Sequence, residues 1–285
     1  MSQLTVDVGG VALSVTEDGA GAPVILVHGF PELAYSWRHQ IPALAASGFR
    51  ALAYDQRGYG ASSHPEPVDA YRLEVLVGDL IGLADALRID RFALVGHDWG
   101  SIVAWTAAVL HPDRITRLVS LNVPYRGWYN GFPSLEYIRD HAADRFGYVL
   151  SFQEPGRAEA AFAADPARWL RGFYGAVAAN PGFQTDEEFS VYVEAFVAHG
   201  IAGPLNFYRN LERNADFAAS HANAPVTIPV MMVAADADPI LPQALAVGME
   251  RWIPDLRVET ITQCGHWTQQ EQPDEVSRLL IDYLA

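Results

Sequence analysis

The chain has 285 residues, half of them apolar, with a formal net charge of -15 and one cysteine, Cys264. That length suits one α/β core with an insertion, and the excess of acid argues against nucleic-acid or anionic-membrane partners, which are gripped by clustered Lys and Arg. A lone cysteine excludes an intrachain disulfide and a cysteine-built zinc site and reads as a small packing residue. With no signal-peptide pattern at the start and no apolar run long enough to span a bilayer, a cytoplasmic location is expected.

In chain order, residues 4–8 and 11–16 are β-rich and joined by Gly9-Gly10, which predicts an edge hairpin. Residues 23–27 form a continuous apolar run, the pattern of a central parallel strand buried on both faces, and end in His28-Gly29-Phe30-Pro31-Glu32. His28 reads as a hydrogen-bonded structural residue of that turn. A helix is expected over residues 35–47 and a strand over 50–54, running into a loop where Asp55 and Arg57 pair with each other or with the backbone. From Leu73 to Leu87, apolar residues at three- and four-residue steps mark an amphipathic helix covering one face of the sheet.

Residues 92–95 then form a buried strand that turns through Gly96-His97-Asp98-Trp99-Gly100 into a helix over residues 100–110 without a charged residue. A strand passing straight into a helix holds the residue between them in a strained conformation, and glycines two positions away on each side relieve the crowding. The pattern is G-x-D-x-G where serine hydrolases have G-x-S-x-G. A carboxylate with an ordinary pKa of about 3.9 is already ionised and attacks an electrophilic carbon unaided. An aspartate here therefore points to epoxide opening or halide displacement rather than ester or peptide cleavage. Taken alone, Asp98 reads equally well as a cap of the following helix.

After a strand at 117–122, residues 124–224 are rich in aromatic residues and alanine, carry short helix signals and lack parallel-strand runs, which predicts an inserted helical lid. Within it Thr185 and Glu188 form a capping box, Phe189, Val193, Phe196 and Val197 an apolar face, and Gly200 the stop. Strands at 228–233 and 257–261 precede a helix at 274–284. The core is thus residues 1–123 and 225–285. Loops after the last two strands hold Asp238, with Asp236 as the fallback acid, and His266, the best base among nine histidines. Nucleophile, acid, histidine is the α/β-hydrolase order, so the expected fold is a mostly parallel sheet flanked by helices with an inserted cap. In that architecture the backbone N–H groups of Phe30 and Trp99 supply an oxyanion hole.

His28-Gly29-Phe30-Pro31, the aspartate elbow and Cys264-Gly265-His266-Trp267-Thr268-Gln269 together resemble the motifs of the soluble epoxide hydrolases. So do two lid stretches, Phe146-Gly147-Tyr148-Val149-Leu150-Ser151-Phe152-Gln153-Glu154-Pro155-Gly156 and Gly203-Pro204-Leu205-Asn206-Phe207-Tyr208-Arg209-Asn210. The resemblance spans nearly the whole chain and is most specific in the lid. It places the family's two epoxide-binding tyrosines at Tyr148 and Tyr208, which without it read as packing residues among twelve tyrosines. Phe207, where many members have tryptophan, and Val149 and Ser151 depart from the pattern and bear on substrate preference.

The resemblance implies a two-step reaction, with attack by Asp98 to form an ester and hydrolysis by water activated by His266 and Asp238. The expected pocket comprises Phe30, Trp99, Phe146, Val149, Phe152, Phe207 and Trp267. The partners implied are a small apolar epoxide and water, with no cofactor or metal, no nucleic acid and no membrane insertion, in a monomer or homodimer. A haloalkane or haloacetate dehalogenase with the same acid and histidine, and a non-catalytic receptor on the same fold, are the alternatives. Against the dehalogenase stand Phe30, Trp99 after the nucleophile, and two lid tyrosines that dehalogenation leaves without a role.

Overall fold

The computed structural model describes residues 1–125, 134–221 and 223–285. Its strands are β1 (Ser2–Val8), β2 (Val11–Gly19), β3 (Ala22–Val27), β4 (Phe49–Tyr54), β5 (Phe92–His97), β6 (Ile115–Leu121), β7 (Val230–Ala235) and β8 (Leu256–Ile261). They form one sheet in the order β1-β2-β4-β3-β5-β6-β7-β8. The β1–β2 hairpin closes one edge and β2 runs antiparallel to β4; every later pairing is parallel.

The apolar run at 23–27 is central because both of its faces are covered. Val24 and Leu26 face a core built with helices α1 (Gln40–Ala46) and α12 (Pro273–Leu284). Ile25 and Val27 face the opposite core, with α2 (Leu73–Ala86) and α3 (Trp99–Leu110). Successive side chains of a strand alternate faces, so an uninterrupted apolar run supplies both cores at once. Each fully buried Leu or Ile contributes about 1.5–3 kcal/mol.

Between β6 and β7 the described residues contain α4 (Leu135–His141), α5 (Ala143–Phe152), α6 (Arg157–Ala164), α7 (Pro166–Val177), α8 (Asp186–His199), α9 (Ala202–Arg209) and α10 (Leu211–Ala219). The short α11 (Thr268–Glu271) precedes α12.

Three local expectations need correction. The helix at 35–47 is a 3-10 turn, Ala34–Trp37, followed by α1. Pro42 lacks an N–H and is tolerated only in a first helical turn, so the α-helix begins at Gln40. Thr185 caps α8 and Gly200 ends it, but the buried face is Phe189, Tyr192 and Phe196, while Val197 is 57% exposed. Of the two outcomes expected for Asp55 and Arg57, pairing with each other gives way to pairing with the backbone: Asp55 accepts the Ala34 N–H at 2.8 Å and Arg57 donates to the Ala70 carbonyl at 2.8 Å, its charge partner being Asp79 at 2.6 Å.

Candidate active site

β5 passes directly into α3 at Asp98, which has φ 49° and ψ -121°. A non-glycine residue in such a region costs about 1–3 kcal/mol and persists only where its surroundings enforce it. Here the crossing is tight: a Cβ at Gly96 would lie 2.5 Å from the Gly100 carbonyl oxygen, and one at Gly100 would collide with that of Val27. The strain lifts the Asp98 carboxylate to the carboxyl ends of the strands. Its Oδ1 accepts the Phe30 N–H at 2.8 Å and its Oδ2 lies 3.7 Å from His266 Nε2. Trp99 opens α3, in the first turn whose amides have no acceptor within the helix.

Asp238 stands in the turn after β7. Its Oδ2 faces His266 Nδ1 at 2.8 Å and accepts from Asn122 Nδ2 at 2.8 Å, while its Oδ1 accepts the N–H groups of Ile240 and Leu241 at 2.8 and 3.0 Å. Burial alone would raise the Asp238 carboxyl, but the imidazole and these donors hold it well below the usual carboxylate range. Burial likewise opposes charge on His266, yet Asp238, by charge and hydrogen bond, and then Asp98 push its pKa well above the ordinary value. At 3.7 Å the Asp98 contribution is one of charge rather than of a formed hydrogen bond.

Tyr148, from α5, and Tyr208, from α9, face Asp98 from the inserted helices. Their rings are 5.9 Å apart, and the Tyr208 ring packs on that of Trp99 with centroids 5.2 Å apart. Burial, reinforced by neighbouring negative charge, raises both phenols, so both stay protonated.

Two cavities meet here. The larger, about 780 Å³, is bordered by Phe30, Trp169, Phe173 and Trp267, the smaller, about 110 Å³, by Trp99, Ile138, Phe146 and Val149. Asp98, Tyr148, Tyr208 and Ile240 border both, so the carboxylate and the phenols stand at the junction.

A family profile of the alpha/beta hydrolase fold matches residues 22–273. Epoxide hydrolase A of Mycobacterium tuberculosis is 40% identical, covering 98% of this chain and 96% of its own. The chain belongs to the epoxide hydrolases of the α/β-hydrolase superfamily. Among solved structures, epoxide hydrolase A from Mycobacterium thermoresistibile matches with a TM-score of 0.91 at 38% identity, over 99% of this chain and 98% of that one. Bifunctional epoxide hydrolase 2 of Sus scrofa is 38% identical over 96% of this chain but 53% of its own length, so this epoxide hydrolase spans about half of that relative.

In this epoxide hydrolase the structure brings Asp98, Asp238, His266, Tyr148, Tyr208, Phe30 and Trp99 together. Asp236, the fallback acid, instead accepts the Cys264 N–H at 3.3 Å. Of the expected pocket residues, Phe30 and Trp267 border the larger cavity and Trp99, Phe146 and Val149 the smaller, but Phe152 and Phe207 border neither. Both stand one layer back. Phe152 packs on Phe30 and Tyr208 with ring centroids 5.5 and 5.2 Å apart, and Phe207 on Trp99 and Tyr59 at 5.5 and 5.4 Å. Burial pushes the Cys264 thiol up to about 12, as expected of a packing cysteine. His28 accepts the Gln56 N–H from the loop after β4 at its Nε2, 3.1 Å away, and its Nδ1 faces the Gly29 carbonyl of its own turn at 2.8 Å.

Sequence reasoning missed a supporting layer. Asn122, with φ 65°, ends β6 and feeds Asp238; asparagine tolerates that backbone region, which is the signal available in the sequence. Glu32 and His97 lay inside motifs already noted. His97 Nδ1 faces Glu32 Oε2 at 2.7 Å and its Nε2 faces the His266 carbonyl at 2.8 Å. Glu32 also accepts from Gly29 N at 3.0 Å, Gln269 Nε2 at 2.8 Å and Gln270 Nε2 at 2.9 Å. Burial would raise Glu32; the charge and hydrogen bond of His97 and the Gly29 amide hold it at about 2 instead. Among the described residues no helix is long and apolar enough to cross a membrane.

Proposed function

We propose that this enzyme converts apolar aryl- or alkyl-substituted epoxides to vicinal diols through a covalent ester on Asp98. The observation that carries the reading is the meeting of one carboxylate, two protonated phenols and a carboxylate-held imidazole at the junction of two largely apolar cavities. The reading treats residues 124–224 as a cap on a core of residues 1–123 and 225–285; residues 126–133 and 222 of that cap lie outside the described residues.

In the first step Asp98 Oδ2, the oxygen without the Phe30 amide, attacks an epoxide carbon. The ring C–O bond breaks and its electron pair passes to the oxygen, to which Tyr148 and Tyr208 donate hydrogen bonds and one of them a proton. In the second step His266 removes a proton from water, and the hydroxide attacks the ester carbonyl. The charge builds on Oδ1, already bonded to the Phe30 N–H, with the Trp99 N–H as the second donor. Collapse breaks the ester C–O bond, and the departing diol oxygen takes the proton from His266. The Asp98 carboxylate is regenerated with one oxygen from water, and a proton from solvent restores the tyrosine.

The electrostatics suit this sequence. In the free enzyme two carboxylates flank His266 and favour its protonated form. Esterification removes the charge of Asp98, which lowers the imidazole pKa, so His266 gives its proton up to solvent before it acts as base and takes one back from solvent once the Asp98 carboxylate is regenerated.

The test is purified wild type beside Asp98→Ala on panels of epoxides and haloalkanes, with diol and halide scored separately. Wild type forms diol and the variant loses more than about 1,000-fold of that activity. Diol formation that survives in Asp98→Ala would refute the ester, and halide without diol would move the enzyme to dehalogenation.

A further inference from the structure

Glu271 lies outside the groups used so far, yet its buried carboxylate collects four backbone N–H groups. Oε2 accepts those of Ala179, Asn180 and Gly265 at 2.9, 3.0 and 3.1 Å, and Oε1 accepts that of Trp267 at 3.1 Å. Gly265 and Trp267 flank His266; Ala179 and Asn180 follow α7. The two segments also touch directly. The His266 N–H donates to the Val177 carbonyl at 3.0 Å, and Trp267 Nε1 to that of Tyr174 at 2.9 Å. Their approach leaves no room at Gly265, where a Cβ would meet the Ala179 amide, the Val177 oxygen at 2.6 Å and Glu271 Oε1 at 2.7 Å.

We propose that Glu271 is a positioning residue for His266, clamping the residues on either side of it to the end of α7 so that the direction of the imidazole toward Asp98 is fixed. The proposal rests on His266 being the base of the second step. Among the described residues the ring's one hydrogen bond runs from Nδ1 to Asp238, so the backbone has a large share in where Nε2 points. A carboxylate suits the task because all four partners are donors and it is acceptor-only. Glutamine is not equivalent. With its oxygen in the Oε2 position its NH2 faces the Trp267 N–H; turned over, it faces those of Gly265, Ala179 and Asn180. Either way a buried amide beside His266 loses its acceptor.

Because His266 acts only after the ester has formed, loosening it should slow one step and spare the other. The experiment is single-turnover rapid mixing with acid quench and intact-protein mass, on wild type, Glu271→Gln, Gly265→Ala and His266→Gln. In Glu271→Gln the ester should form within about twofold of the wild-type rate and hydrolyse about tenfold or more slowly, so that it accumulates. Gly265→Ala, which spreads the same clamp, should give the same signature. Unchanged ester hydrolysis, or equal slowing of both steps as general loosening would give, overturns the role of Glu271. If His266→Gln accumulates no ester, the reading of Asp98 and His266 fails instead. Where neither clamp variant folds, hydrogen exchange of the wild type decides. Slow exchange of the Gly265, Trp267, Ala179 and Asn180 amides supports the clamp, and rapid exchange overturns it.

Discussion

At the scale of single residues, the two tyrosines are not equivalent. The Tyr208 ring packs against Trp99 and Phe30, whereas that of Tyr148 packs against Phe173. Removing either hydroxyl should slow ester formation about 100-fold, and removing both should slow it further, with the melting temperature little changed. Single-turnover rates of Tyr148→Phe, Tyr208→Phe and the double variant check this; undiminished ester formation in the double variant would refute the donor role. Asp98, Asp238, His266 and the tyrosines were singled out in the sequence because each sits in a motif or directly after a strand, and the structure brings them together. Asn122, Glu32, His97 and Glu271 were not, because their importance lies in hydrogen bonds to residues distant in the chain. A glutamate in a helix carries no mark of the four amides it will meet.

At the scale of elements, α7 joins wall and scaffold. Trp169 and Phe173 on one side border the larger cavity, while Leu170 and Tyr174 are buried and Tyr174 donates to the Pro31 carbonyl at 2.7 Å. Phe173→Ala should enlarge that cavity and shift kcat/KM toward bulkier aryl epoxides over short alkyl epoxides by about tenfold. Competition assays with both classes measure it, and an unchanged ratio would remove Phe173 from the selectivity surface. The core elements were readable because their apolar residues recur at periods that match buried strands and amphipathic helices. Among the inserted helices α8 was legible from its caps, Thr185 and Gly200; the rest were readable as a group. Their buried faces combine aromatic residues from several short helices, so no single segment shows a clean period, as the exchange of Val197 for Tyr192 on α8 illustrates.

At the scale of the whole molecule, stability should depend on pH through carboxylates that folding holds ionised. Glu32 falls from 4.5 to about 2, and Asp238 is lowered as well. Such groups stabilise fully above their unfolded pKa and lose that contribution as pH drops through the folded one, about 3 kcal/mol for Glu32. His266, raised by its carboxylates, has the opposite sign and stabilises most below its unfolded pKa. The melting temperature should therefore fall between about pH 5 and pH 2, and Glu32→Gln should flatten that fall. An identical acid limb in the variant would show that the buried glutamate is not responsible. The sheet order has a further consequence. On the proposed mechanism the groups that turn over the ester lie at the carboxyl ends of strands, whereas both phenols come from the one segment inserted between β6 and β7. On that reading the scaffold divides recognition of the electrophile from turnover of the ester, and exchange of that one stretch of chain could retarget the first provided the end of α7, which holds the His266 loop, is kept.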